Sequence, residues 1–147
     1  MQITAVTKAD VEEIKNLARR AILEVVTVDA SLKQGIIADT DRHIDGNLGN
    51  EKSVFLKCRA DRVVGFILVQ DSWNLSDLFV LPEAHGKGIG RLLFDSARSI
   101  CESNRNRNYI RVNSSLNAEG FYRKLGFETF IPEKAPPDFV VPLIYHF

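Results

Sequence analysis

The sequence predicts an α+β fold built on one mixed sheet, and two observations carry that expectation. Alternating and helical runs of apolar residues follow one another in the order β-α-(α)-β-β-β-α-β-α-β-β, and several strands are joined through helices, the crossover that makes neighbours parallel. The 147 residues, 45% apolar and 26% charged, suit a single domain spanning 1–147, with no internal repeat and no linker.

Gln2 to Val6 alternates weakly and is read as the first strand. Thr7 and Asp10 have capping-box spacing, with Val6 and Val11 placed for a hydrophobic staple. Val11, Ile14, Leu17, Ala18, Ala21, Ile22 and Val25 then recur at helical spacing. Leu32, Ile36 and Ile37 suggest a short second helix, and "DGNLGNE" reads as loop. Ser53–Arg59 alternates, Ala60-Asp61 turns, and Val63–Val69 is a run typical of a strand buried on both faces. A further strand covers Trp73–Leu81 and ends at Pro82. Ile89, Leu92, Leu93, Ala97, Ile100 and Cys101 mark the next helix, and Tyr109–Asn113 a short strand. Asn117–Leu125 is a short helix closed by Gly126 as a C′ glycine. Phe127–Ile131 and Phe139–Tyr145 are the last strands, and Pro142 argues that the final one lies at an edge.

Nineteen basic residues balance nineteen acidic ones, which gives no reason to expect a polyanionic partner. "RNRN" at 105–108 reads as a polar loop, so no nucleic acid is expected. The longest apolar run, Val63–Val69, is far too short to span a bilayer, and the first residues do not read as a secretory signal, so no membrane and a cytoplasmic location are expected. Cys58 and Cys101 read as buried thiols ahead of a disulfide or metal pair.

The chemistry concentrates in "LPEAHGKGIGRLL", where Gly86, Gly88 and Gly90 alternate between a strand and a helix. A helix N-terminus offers free N–H groups and the positive end of its dipole, and glycines let an anion approach the backbone. Neither a Gly-Lys-Ser/Thr nor a GxGxxG pattern occurs, so the nucleotide loops those patterns mark are excluded. The plain alternative is a tight turn that uses glycines for geometry only.

"LFVLPEAHGKGIGRLL" resembles the acetyl-coenzyme A-binding motif of the GCN5-related N-acetyltransferases (GNAT), and "NAEGFYRKLGFE" is similar to that family's Asn…Tyr…Gly-Phe segment, in the family's order and separation. The resemblance covers the chain well from about residue 53 and the first fifty residues only in outline. It implies a mostly antiparallel sheet of about seven strands with about four helices, splayed between strands 4 and 5. It also implies acetyl transfer from acetyl-CoA, with no metal, to a primary amine of a small molecule or peptide, by direct attack in a ternary complex. Carried over residue by residue, the cofactor site comprises Leu78, Phe79 and Val80 on the fourth strand. His85, Gly86, Lys87, Gly88, Ile89, Gly90 and Arg91 follow, then Asn117 and Tyr122. Tyr122 is the implied general acid; otherwise it is a core aromatic beside Phe121. Asn117 is alternatively a helix N-cap. His85 replaces the usual Gln or Arg, and is alternatively an exposed loop residue.

A lysine-like amine lies about three pH units above neutrality, so its deprotonation costs ~4–5 kcal/mol. Asp77 on the fourth strand and His43 are the candidate bases, each with a purely structural alternative. Asp29, Asp39, Asp41, Asp45 and Glu51 outnumber the nearby cations, which hints at a cationic acceptor. A non-catalytic acyl-CoA sensor is the rival reading, and both monomer and homodimer are open.

Overall fold

A computed structural model describes residues 1–104 and 107–147. Arg105 and Asn106 of the "RNRN" stretch lie outside the described residues. The chain forms strand β1 (Gln2–Ala5), helices α1 (Val11–Val25) and α2 (Ala30–Asn47), and strands β2 (Val54–Arg59), β3 (Val63–Gln70) and β4 (Asn74–Val80). Helix α3 (Ile89–Asn104), β5 (Tyr109–Ser115), α4 (Glu119–Leu125), β6 (Glu128–Thr129) and β7 (Val140–His146) follow. One seven-stranded sheet has the order β1-β2-β3-β4-β5-β7-β6. Every pairing is antiparallel except β4 with β5.

The Thr7–Asp10 capping box forms, and it closes the 3-10 turn Lys8–Asp10 that leads into α1. The Asp10 carboxylate accepts the Thr7 N–H at 2.8 Å and is joined by Lys57 of β2, which ties the helix to the sheet. Burial pushes the Asp10 carboxyl up, and Lys57 and Thr7 more than reverse this, so its pKa is lowered. From Phe66 to Val69 every residue of β3 is buried, and the strand packs against both α1 and α3. A Cβ at Gly65 would meet Leu93 and Ile89 of α3. That face of the sheet therefore belongs to α3, while Lys57, on the other face, reaches α1.

Three expectations need correction. The second helix is not short: α2 runs 18 residues and includes Asp45, Gly46 and Asn47, which read as loop. Its buried stripe is Ile37, Thr40, Ile44 and Asn47, so half of it is polar. Pro142 does not mark an edge, because β7 lies between β5 and β6. Its carbonyl accepts the Phe130 N–H at 3.1 Å on the β6 side, where β6 has already ended, so the missing donor costs the β5 ladder nothing. Finally, Phe127–Ile131 shrinks to a two-residue pairing, Glu128–Thr129. Cys58 and Cys101 are free and buried, and burial pushes the Cys101 thiol up to about 12. Among the described residues no helix is long and apolar enough to cross a membrane, and no metal-holding group of three His, Cys, Asp or Glu is gathered.

Candidate active site

The parallel pairing of β4 with β5 covers only Asn74 with Arg111 and Leu75 with Val112. Beyond that point the strands part, and β4 loses its neighbour over its last residues. The parting is helped by a bulge: Leu68 faces Asp77 and Val69 faces Leu75, so Ser76 is the extra residue. Leu81 N–H donates to Val64 O at 2.9 Å. Alternation from that bond points the Leu78 and Val80 N–H groups into the gap, and assigns the Phe79 N–H to β3.

The gap opens into a cavity of about 580 Å³, of the size that holds small molecules. Leu78, Phe79, Val80, His85, Gly86, Gly88, Ile89, Gly90, Arg91, Asn117 and Tyr122 all line it; Lys87 does not. Ala21 and Val25 of α1, with Val26 just beyond it, add to the wall and were not foreseen, since nothing local distinguishes them from the rest of an amphipathic helix.

The glycines serve two purposes. Gly86 and Gly88 both have φ of +78°, the left-handed region, with open space where a Cβ would stand. Such alternation turns successive N–H groups inward as an anion cradle. Gly90 has ordinary φ, but a Cβ there would lie 3.0 Å from the Phe121 ring. His85 is engaged: its Nε2 lies 2.9 Å from Val80 O, a contact in which the ring N–H donates. Arg91 donates to Lys124 O at 3.2 Å and so ties α3 to the end of α4.

Tyr122 is 6% exposed and stacked edge-on against Phe121 and Phe127. Burial, and then the Asp77 carboxylate, push its phenol well above the ordinary value. Its hydroxyl has no hydrogen-bond partner among the described residues, and the ring lines the cavity. Gly126, at φ of +109°, ends α4, and Phe127 N–H returns to Tyr122 O at 3.1 Å. Asn117 sits within a 3-10 turn, and Ala118, not Asn117, is the N-cap of α4.

The two candidate bases meet. His43 Nδ1 lies 2.9 Å from Asp77 Oδ2, and Ser76 Oγ donates to the same oxygen at 2.7 Å. The Asp77 side chain is 1% exposed and that of His43 36%. The hydrogen bond to Asp77 raises the His43 pKa, burial opposes it, and the Asp77 charge adds to the rise. Residues 34 apart in sequence, on a helix and a bulged strand, gave no local sign of this pairing. Most of the acidic residues around α2 are accounted for elsewhere. Asp29 caps α2 through Leu32 N–H, Asp39 pairs with Arg42, and Asp45 pairs with Lys15.

An acetyltransferase (GNAT) domain model matches residues 17–136. The chain belongs to the GNAT acetyltransferase family. Solved GNAT structures share its fold. A GCN5-related N-acetyltransferase from Rhodopseudomonas palustris superposes with a TM-score of 0.82 at 16% identity, covering 99% of this chain and 95% of that one. PaiA N-acetyltransferase from Thermoplasma acidophilum, in complex with coenzyme A, gives 0.80 at 20% identity over 99% and 98%. YncA from Salmonella typhimurium, with its cofactor acetyl-CoA, gives 0.70 at 17% identity over 99% and 93%. No curated protein matches the chain.

Proposed function

We propose that this GNAT protein is an acetyl-CoA-dependent N-acetyltransferase acting on a primary amine of a small molecule or peptide by direct attack. The observation that carries the reading is the Gly86–Arg91 cradle at the start of α3, opening onto a parted β4 with two unused N–H groups. Acetyl-CoA supplies the activated acyl group as a thioester. The transfer forms a C–N bond and breaks the C–S bond; the amine loses a proton and the sulfur gains one.

Each demand has a residue in this chain. The Gly86–Gly90 backbone and the first turn of α3 suit a pyrophosphate. Leu78 and Val80 N–H groups suit the charge that develops on the carbonyl oxygen, preorganised and shielded from water. Tyr122, a phenol kept protonated with an unengaged hydroxyl, donates to the departing sulfur. Asp77 lies too deep to receive the amine proton itself and is assigned to positioning His43, which is partly exposed and takes that proton. Tyr122 lines the cavity beside the end of β4, and Asp77 lies on the same strand, three residues before Val80.

Thiol release from acetyl-CoA, followed across polyamines, amino acids, aminoglycosides and peptide N-termini, tests the reading. Tyr122→Phe is expected to lower kcat by roughly tenfold or more while leaving coenzyme A affinity within about twofold. Tight coenzyme binding with no amine-dependent thiol release would establish the sensor reading instead.

A further inference from the structure

The alternation of β5 sorts its side chains sharply. Ile110, Val112 and Ser114 are buried on one face, whereas Tyr109, Arg111 and Asn113 on the other are not. Register fixes which face this is. Asp77 is paired with Leu68, and Asn74 with both Gln70 and Arg111, so Arg111 shares the face that carries Asp77 and, above it, His43. Arg111 stands level with Asn74, three residues before Asp77; at about 3.3 Å per residue and 4.8 Å between strands, the two backbone positions are roughly 11 Å apart.

Arg111 lacks what the other half-buried arginines have. Of the three half-buried arginines among the described residues, Arg59 pairs with Glu13 and Arg98 with Glu102. Arg111 has no carboxylate within ion-pair distance, and its Nε is buried without any hydrogen-bond partner. The guanidinium lies over the Phe130 ring, 3.8 Å from its centroid. Arg107, over Trp73 at 4.3 Å, adds a second cation to the neighbourhood. Glu128 occupies the same face across β7 but forms no ion pair with Arg111. A partly desolvated cation left unpaired is costly, and a planar fork of donors matches a carboxylate.

We propose that the acceptor amine also carries a carboxylate, as an amino acid or similarly short amino-carboxylate does, and that Arg111 receives it while the amine faces His43. The proposal rests on the acetyltransferase reading above. It reverses the hint drawn from the acidic residues near α2, three of which already have partners.

The test compares amino acids with their amides and their decarboxylated amines in thiol release. Free carboxylates are expected to show kcat/KM at least roughly tenfold higher than the uncharged counterparts. Because amine pKa differs among these compounds, the deciding quantity is the change in that ratio between proteins. Arg111→Met is expected to bring it close to one and Arg111→Lys to leave it intermediate. In parallel, an N-acetyl amino acid and its amide are titrated calorimetrically into each protein with coenzyme A present, with circular dichroism confirming the fold. Equal binding of the two, or a preference that survives Arg111→Met, would overturn the proposal. If no amine is turned over but the Arg111-dependent binding preference holds, the acetyltransfer reading fails and the carboxylate site stands.

Discussion

A Cβ added at Gly86 or Gly88 meets nothing within 4 Å but would sit at a φ of +78°, whereas one added at Gly90 would press on Phe121. Alanine at these positions therefore fails for different reasons. Gly88→Ala strains the turn by about 1–2 kcal/mol, and relaxing it rotates N–H groups out of the cradle. Coenzyme A affinity should fall by roughly tenfold on calorimetric titration, with that strain as the upper bound on lost stability. Gly90→Ala should lower Tm chiefly through packing, and Phe121→Leu in the same chain should restore Gly90→Ala but not Gly88→Ala. His43 makes a separate prediction. Its folded pKa is raised above the ordinary value near 6.5, so the neutral base is present only above that raised pKa. The kcat/KM profile should thus rise through an apparent pKa above about 6.5. Asp77→Asn should move that limb to lower pH, and His43→Gln should abolish it. The stability linked to the charged His43–Asp77 pair runs the opposite way, complete below about 6.5 and lost as pH rises through the folded pKa.

Among the elements, the turn after β4 is held from two sides. Arg20 of α1 makes two 2.9 Å contacts with Glu83, and Arg62 from the β2–β3 turn makes a third at 2.8 Å. Arg20, then the turn's own backbone and Arg62, hold the Glu83 carboxyl down at about 2. A lowered carboxylate contributes stability above its unfolded pKa, about 4.5, and loses it as pH falls through the folded value. The advantage of the parent over Glu83→Gln in thermal melts should therefore be full near neutrality and vanish between about pH 4.5 and 2. The cluster is exposed, so added salt should shrink it. Helix α2 shows how element and site are coupled. Asn47 donates to His43 O at 2.9 Å and accepts from Ser53 Oγ at 2.7 Å, which fixes the last turn of the helix over β2. That turn carries His43 to Asp77.

For the whole molecule, what was legible from sequence was what is local. The glycine run, the strand before it and the helix after it lie within some thirty residues, and the positive φ of Gly86 and Gly88 is a local property of that turn, although the contact that constrains Gly90, with Phe121, is not. The parted strands were reached through the family resemblance, and the short β4–β5 pairing bears that out. What was hidden depends on distant partners. Thr40 and Asn47 break the apolar stripe of α2 and are buried only because the helix packs on the rest of the fold, so the helix looked short. The Pro142 argument failed because a proline's missing donor matters only on the side where a strand continues. The His43–Asp77 pair and the Arg111 face exist only once the sheet register is known. On the proposed reading the cofactor cradle and Tyr122 line the opening in the sheet, and His43 and Arg111 serve the acceptor from the α2 face of the same strands; acetyl transfer to that acceptor is the central claim. Its most direct test is mass spectrometric detection of product after mixing the protein with acetyl-CoA and a panel of amines at pH 8. An N-acetylated amine is expected in stoichiometry with released thiol, dependent on both substrates and strongly reduced by Tyr122→Phe. Release of thiol that no amine accelerates, with every amine recovered unchanged, would contradict it.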